Sequence, residues 1–383
     1  MAHAKLARGL LAWPIGGPAL PSPCPRDASN VALTTAHSLP SPGAQGPSPL
    51  VAGQGGHPRL VADIGGTNAR FGWIAQPGAK VAQLCTLPVP AHAGPAEATQ
   101  AYLATLASRG VTDCAPRHAA FAVATAVGGD RVAFTNSHWD FSREAVRRAL
   151  GLESLLLLND FEALALSLPR LSGAQRRAHG QPPRSDAPLA VVGPGTGLGV
   201  GAVVPAGGRW VALPGEGGHA TLAAGDALEA AVIAVVRRQY AHVSAERLLS
   251  GIGLPLLHAA LGEVQGHPPS AGAAASTEAI VAAALDGSDA LAGQTLDLFC
   301  ALLGSFAGNV VLTVGARGGL YIGGGIVPRF ADRFFASAFR ERFEAKGRFR
   351  DYLAAVPTAL ITDTLVALDG AALAIEQHLA ATA

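Results

Sequence analysis

Four consecutive leucines ending at two polar residues, Leu155–Asp160 with Phe161 next, constrain this chain more than any other stretch. An unbroken apolar run of this length reads as a strand covered on both faces, the pattern of a sheet enclosed in α/β layers. A carboxylate at the C-terminal end of such a strand stands where open α/β sheets place their ligand chemistry. Asp160 is therefore a candidate catalytic base, with Asn159 beside it as a hydrogen-bonding partner for a ligand. The same two residues also suit the cap of a helix beginning near Phe161, and both readings stay open on these residues alone.

A chain of 383 residues is long enough for a large core and is expected to form two lobes. Charged residues are only 14% of it, against roughly 25% in an average soluble protein. The net charge of +1 argues against nucleic acid as a partner. Cys24, Cys85, Cys114 and Cys300 are scattered without C-x-x-C spacing, which supports neither a zinc site nor a disulfide framework and fits a reducing cytoplasm. Two uncharged windows are rejected as membrane spans. Leu298–Ala316, interrupted by Gly304, Ser305, Gly308 and Asn309, reads as a buried helix followed by a strand, and Ala187–Gly208 is too rich in Gly and Pro for one helix.

Residues 1–57 are rich in Pro, Gly, Ser and Ala without hydrophobic periodicity, and read as a disordered tail or an upstream start that the native protein lacks. Order is expected from Arg59. Strand, Gly65-Gly66 turn, strand is a hairpin, and its backbone N–H groups can close around an anion, with Thr67 adding a hydroxyl. Asp63 at this turn is placed to hold magnesium through water. Helices are expected over Ala96–Arg109 and Ser142–Leu150, with a buried strand over Ala119–Ala126 between them. Residues 172–188 read as a polar connection between lobes. Leu189–Val192, Gly195-Thr196-Gly197 and Val200–Val204 then echo the first hairpin, so two phosphate-holding turns can face one another across a cleft. A dinucleotide fingerprint fails here, because a strand rather than a helix follows the glycines.

Glu216 and His219 lie three apart in the glycine-rich loop after Leu213, where both can turn toward one small polar ligand. Ser244 suits an N-cap, with Glu246 in the first helical turn. Residues 264–276 read as a loop and Leu291–Leu303 as a core helix. Gly323-Gly324-Gly325 follows a short strand and allows close approach of a ring or ribose. Phe335, Phe339 and Phe343, at helical spacing, read as packing. Three lysines occur, Lys5, Lys80 and Lys346, and none stands in G-x-x-x-x-G-K-[ST] or V-A-I-K. A phosphotransferase built from this chain must rely on backbone N–H groups, threonines and magnesium.

LVADIGGTNARF, FTNSHWDFS, LLLLNDFEAL, GPGTGLGV, WVALPGEGGHA, HVSAERLLSG and LYIGGGIVPRF, in this order, resemble the bacterial glucokinases. The resemblance spans Leu60 to Phe349 and continues less clearly beyond. It implies an α/β chain with a two-lobed actin-like ATPase (ribonuclease H-like) fold and a ligand cleft between the lobes. The small lobe would span 58–170, completed by a C-terminal helix at about 363–383, and the large lobe 171–362. The implied activity is ATP-dependent phosphorylation of glucose at the 6-hydroxyl. Asp160 would take the hydroxyl proton, and Asn159, Glu216, His219 and Glu246 would bind the sugar. Asp63, Gly65, Gly66, Thr67 and Asn68 would hold phosphate and magnesium, Gly195, Thr196 and Gly197 would grip phosphate from the second lobe, and Gly323, Gly324 and Gly325 would flank the adenosine. ATP and Mg2+ are thus expected and zinc is not, since the cysteine-rich motif of the related ROK kinases is missing. Glucose and ATP are the expected partners in a cytoplasmic enzyme without nucleic acid or membrane, and a homodimer is compatible with this. Two departures stand out: Thr125-Ala126-Val127 where a proline is usual, implying a looser sugar-side loop, and Pro194 before the second phosphate turn, implying a stiffer one.

Overall fold

The computed structural model describes residues 56–134, 136–267 and 275–382. The tail expected over 1–57 lies outside these except for its last two residues, as do Cys24, Thr135 and the middle of the loop expected over 264–276. Seven strands come from the first part of the described chain: β1 (Arg59–Ile64), β2 (Asn68–Ile74), β3 (Ala82–Pro88), β4 (His118–Val123), β5 (Arg131–Ala133), β6 (Asp140–Ser142) and β7 (Ser154–Asn159). Six follow: β8 (Arg176–His179), β9 (Leu189–Pro194), β10 (Leu198–Ala206), β11 (Arg209–Leu213), β12 (Gly319–Ile322) and β13 (Thr358–Ile361).

The first sheet has the order β3-β2-β1-β4-β7 and the second β11-β10-β9-β12-β13-β8. Each begins with an antiparallel meander and continues with two parallel strands, so the second sheet repeats the first and adds β8. The echo between the two glycine turns is thus one of whole sheets.

The four leucines of β7 alternate between two cores. Leu155 and Leu157 join Phe71, Tyr102 and Trp139 on one face. Leu158, with Leu156 partly buried, joins a cluster on the other face that also contains Leu189, Val191 and Tyr321 of the second sheet. In that cluster the helices Asp160–Ser167 and Val366–Thr382 lie between the two sheets. They cross closely, since a β-carbon on Gly370 would overlap the carbonyl of Ala163. The C-terminal helix also reaches β11: the side-chain amide of Gln377 donates to the Trp210 carbonyl at 3.0 Å and accepts its N–H at 2.8 Å, closing an edge strand the way a paired strand would.

Four expectations need correction. The buried helix does not give way to a strand after Leu303; it runs from Ala290 to Val314. Gly304 and Gly308 are not breaks but the contact face for the helix Phe339–Glu344, whose carbonyls at Phe339 and Phe343 leave no room for a β-carbon. By length and composition this helix could cross a membrane, but 61% of its apolar window is buried inside the protein. The strand expected over Ala119–Ala126 ends at Val123. The connection over 172–188 contains β8, antiparallel to β13. Its arginines suit an edge strand: Arg176 donates to the Tyr321 hydroxyl at 2.8 Å and Arg177 lies 4.2 Å from the centre of the Phe335 ring. The three phenylalanines belong to two short helices instead of one, and Phe334, not Phe335, is the buried partner of Phe339 and Phe343.

Candidate active site

The proposed base and its neighbour stand at the junction of β7 and the following helix. Asn159 is the N-cap, its Oδ1 accepting the Phe161 N–H at 2.9 Å. Its Nδ2 donates to the Thr125 carbonyl at 3.3 Å, leaving one amide hydrogen for a ligand. Thr125, the first residue of the loop Thr125–Val127, is itself held, its hydroxyl donating to the Ala133 carbonyl at 3.0 Å. Asp160 Oδ1 accepts the same Phe161 N–H at 2.9 Å. The capping role therefore falls mainly to Asn159.

The carboxyl of Asp160 is pushed up to about 6, first by burial and then by the charges of Asp63 and Glu216, against the opposing pull of the Phe161 N–H. The charges of Asp63 on β1 and of Glu216 in the loop after β11 thus bear on Asp160, the first residue of the helix that follows β7. Asp63 lies directly across the β1–β2 register from Arg70, whose Nη1 reaches its Oδ2 at 3.0 Å. Burial still raises the Asp63 carboxyl above its ordinary value, with Arg70 opposing. A hairpin with the four residues Gly65–Asn68 at its turn sets Asp63 opposite Arg70.

The first turn is closed by the Gly65 N–H bonding the Asn68 carbonyl at 2.9 Å, and the Val89 N–H bonds the Thr67 carbonyl at 2.9 Å. Thr67 and Asn68 are exposed. Gly66 faces the backbone of Asn136, where a β-carbon would come within 2.7 Å of the Asn136 oxygen, so the TNSHWDF loop abuts this turn.

In the second turn the Gly195 N–H bonds the Gly197 carbonyl at 2.8 Å, and the Gly195 carbonyl accepts the Gly251 N–H at 2.8 Å. Gly195 has open space beside it and Thr196 is exposed. Glu246 Oε2 accepts the Leu198 N–H at 2.9 Å, and His219 Nδ1 lies 3.9 Å from Glu246 Oε1. The loop carrying Glu216 and His219 is joined to the helix of Glu246 through the bridge Thr221–Ser244 and the Ala245 N–H on the Ala220 carbonyl at 2.8 Å. The supporting role of Gly251 was missed in the sequence, since nothing local marks a contact with a residue 56 positions earlier.

The triple glycine divides its work. Gly323 donates to the Val192 carbonyl at 2.9 Å, and Gly324, at φ +76°, presses on the carbonyl of Pro194. Only Gly325 has open space at its α-carbon. Pro194 is locked further by the Ile326 N–H at 3.2 Å. A cavity of about 440 Å3 lined by Asp226, Glu229, Leu261, Gln294 and Arg342 includes none of these residues.

The profile of the glucokinase family matches residues 60–378. The chain belongs to this family. A glucokinase from Chromobacterium violaceum is 50% identical over 324 residues, which are 84% of this chain and 90% of that protein. One from Aromatoleum aromaticum is 50% identical over 325 residues, 85% of this chain and 96% of the relative. Among solved structures, a glucokinase from an Antarctic psychrotroph superposes with a TM-score of 0.76 at 36% identity, covering 84% of this chain and 99% of that one. A ROK family glucokinase from Streptomyces griseus, solved with glucose and AMPPNP, shares the fold at a TM-score of 0.55 and 19% identity, covering 82% of this chain and 98% of that one. The glucokinase family membership and these superpositions establish the two-lobed fold of actin-like ATPases.

Proposed function

We propose that this glucokinase-family chain transfers the γ-phosphoryl group of ATP to the 6-hydroxyl of glucose, giving glucose 6-phosphate and ADP. The observation that carries the reading is Asp160: a partly buried carboxylate at a strand terminus, with a proton affinity near neutral and charged neighbours from both lobes. A base of this kind is ionised at pH 7 yet basic enough to accept a hydroxyl proton as the oxygen attacks. The sugar oxygen forms its bond to the γ-phosphorus, the bond to the β–γ bridging oxygen breaks, and the proton passes to Asp160.

Asn159, Glu216, His219 and Glu246 would bind the remaining sugar hydroxyls, where an unmatched polar group penalises the wrong epimer. The turns at Gly65–Asn68 and Gly195–Gly197 offer N–H and hydroxyl donors to phosphate, with Gly325 the open edge for adenosine. Mg2+ bound with the nucleotide would neutralise charge on its phosphates. Asp63, a carboxylate oxygen donor of the kind a hard cation takes, would hold it through water. Closure of the lobes would exclude water, the competing acceptor.

The residue ranges of the two sheets, 59–159 and 176–361, support a lobe boundary near 170 and a C-terminal helix from about 363 that completes the first lobe. The scattered cysteines, without C-x-x-C spacing, and the net charge of +1 are the grounds for reading a cytoplasmic enzyme that needs neither zinc nor nucleic acid, and a homodimer is compatible with it. ADP release measured with ATP and Mg2+ across glucose, mannose, fructose and amino sugars tests the function. Glucose should give the highest kcat/KM, and preference for another acceptor would overturn the substrate assignment.

A further inference from the structure

Phe161 follows the proposed base, and its two ends face different parts of the molecule. Its N–H donates to Asn159 Oδ1 and Asp160 Oδ1, both at 2.9 Å. Its ring lies against the second lobe: a β-carbon on Gly193 would stand 2.5 Å from Phe161 Cζ, and one on Gly199 would overlap the ring. Gly193 and Gly199 are register partners in the β9–β10 hairpin, each two residues from the Gly195–Gly197 turn. One step along the same face, a β-carbon on Gly201 would come within 2.7 Å of the Phe161 carbonyl oxygen and 3.1 Å of Ala165 Cβ. Glycine inside a strand weakens it and marks the close approach of another group. Here three glycines empty one face of the hairpin, and a single aromatic ring fills the depression.

We propose that Phe161 is a positioning residue: seated on Gly193 and Gly199, its ring fixes the separation between the Asp160 carboxylate and the phosphate turn Gly195–Gly197. This rests on the reading of Asp160 as base and of that turn as phosphate-holding. The base directly follows the last strand of the first sheet and the turn belongs to the second sheet, so the in-line geometry of transfer depends on whatever spans them. The ring is a short and stiff link. It contacts the hairpin two residues behind the turn, while its backbone is bonded to both Asn159 and Asp160. A displacement of about 1 Å between reacting groups costs on the order of 100-fold in rate.

The test compares Phe161→Ala, Phe161→Leu and Gly199→Ala in the full chain, with Leu166→Ala as a control. Leu166 is 4% exposed on the same helix and holds no site residue. Phe161→Ala should lower kcat by roughly tenfold or more while the KM values for glucose and ATP stay within about threefold. Gly199→Ala, which displaces the ring instead of removing it, should act in the same direction and keeps the test open if Phe161→Ala folds poorly. Phe161→Leu should recover part of the loss. Leu166→Ala should lower Tm with kcat within about twofold of the parent. The proposal is overturned if Phe161→Ala or Gly199→Ala, measured well below its Tm, also keeps kcat within about twofold. Asp160→Ala separates the two levels: full turnover in that variant removes the base assignment on which the proposal rests, whereas an inactive Asp160→Ala beside a fully active Phe161→Ala removes the positioning role alone.

Discussion

Glu246 holds the N–H of Leu198 at 2.9 Å, so a carboxylate expected at the sugar is also the anchor of the residue that follows the turn Gly195–Gly197. Its other oxygen lies 3.9 Å from His219 Nδ1. One side chain thus joins the loop of Glu216 and His219, the helix Ala245–Leu248 and the turn Gly195–Gly197.

Glu246→Ala should therefore raise KM for both glucose and ATP. Loss of a hydrogen bond to a charged group is worth about 1.5–3 kcal/mol, or roughly 10- to 150-fold in kcat/KM. Glu246→Gln keeps an acceptor for Leu198 and should be milder for ATP than for glucose. Initial rates with each substrate varied in turn check this; an unchanged KM for ATP in the alanine variant would show that the anchor carries no energy.

Asp160→Ala should lower kcat by roughly 10²–10⁴ if the side chain takes the hydroxyl proton, while glucose affinity changes far less. Coupled ADP release and calorimetric glucose binding separate the two quantities. Near-parental turnover would remove the base assignment.

The rising limb of the kcat/KM profile should show an apparent pKa near 6, because Asp160 must be ionised to act. The same shift sets a stability trend. With its proton bound more tightly folded than unfolded, Asp160 costs no stability well below pH 4 and costs most above about 6, where both states are ionised. Asp160→Asn should thus stabilise the protein at pH 7.5, by up to about 3 kcal/mol for a shift of two units, and the gain should shrink as pH falls toward 4. Urea titrations of parent and variant at several pH values give the comparison; a gain independent of pH would contradict it.

Remote from the site, Glu229 is fully buried and meets Arg342, which also donates to Asp226 at 2.8 Å. Arg342→Ala leaves that carboxylate without its cation and should cost about 3–5 kcal/mol of stability with little effect on kcat. Burial raises the Glu229 carboxyl, while the Gly225 N–H and Arg342 hold it down, so removal of Arg342 should raise it further. The loss should be smaller at acid pH, where Glu229 is protonated. Chemical denaturation at pH 5 and pH 8 is the measurement.

Local features were legible. Both glycine turns, the strand of four leucines, and the caps at Ser142 and Ser244 follow from short-range requirements of backbone geometry and side-chain alternation. The helix Ala290–Val314 was misread because Gly304 and Gly308 look like breaks until the helix Phe339–Glu344 is laid against them. Strand β8 was missed because Arg176 and Arg177 carry no strand signal of their own; pairing with β13, nearly 180 residues later, makes the strand.

What the sequence determined by itself is the inventory: a carboxylate at a buried strand end, two glycine-threonine turns, and a Glu and His in a glycine-rich loop. Each depends on neighbours within a few residues. Tertiary structure alone decided how those groups act. The proton affinity of Asp160 comes from burial and from carboxylates on two other elements. The attachment of Glu246 to Leu198 spans 48 residues. The glycine seat of Phe161 exists only where two sheets are brought onto one helix. Such effects arise from distances between groups far apart in the chain, and burial and Coulomb interaction respond to those distances rather than to order along it.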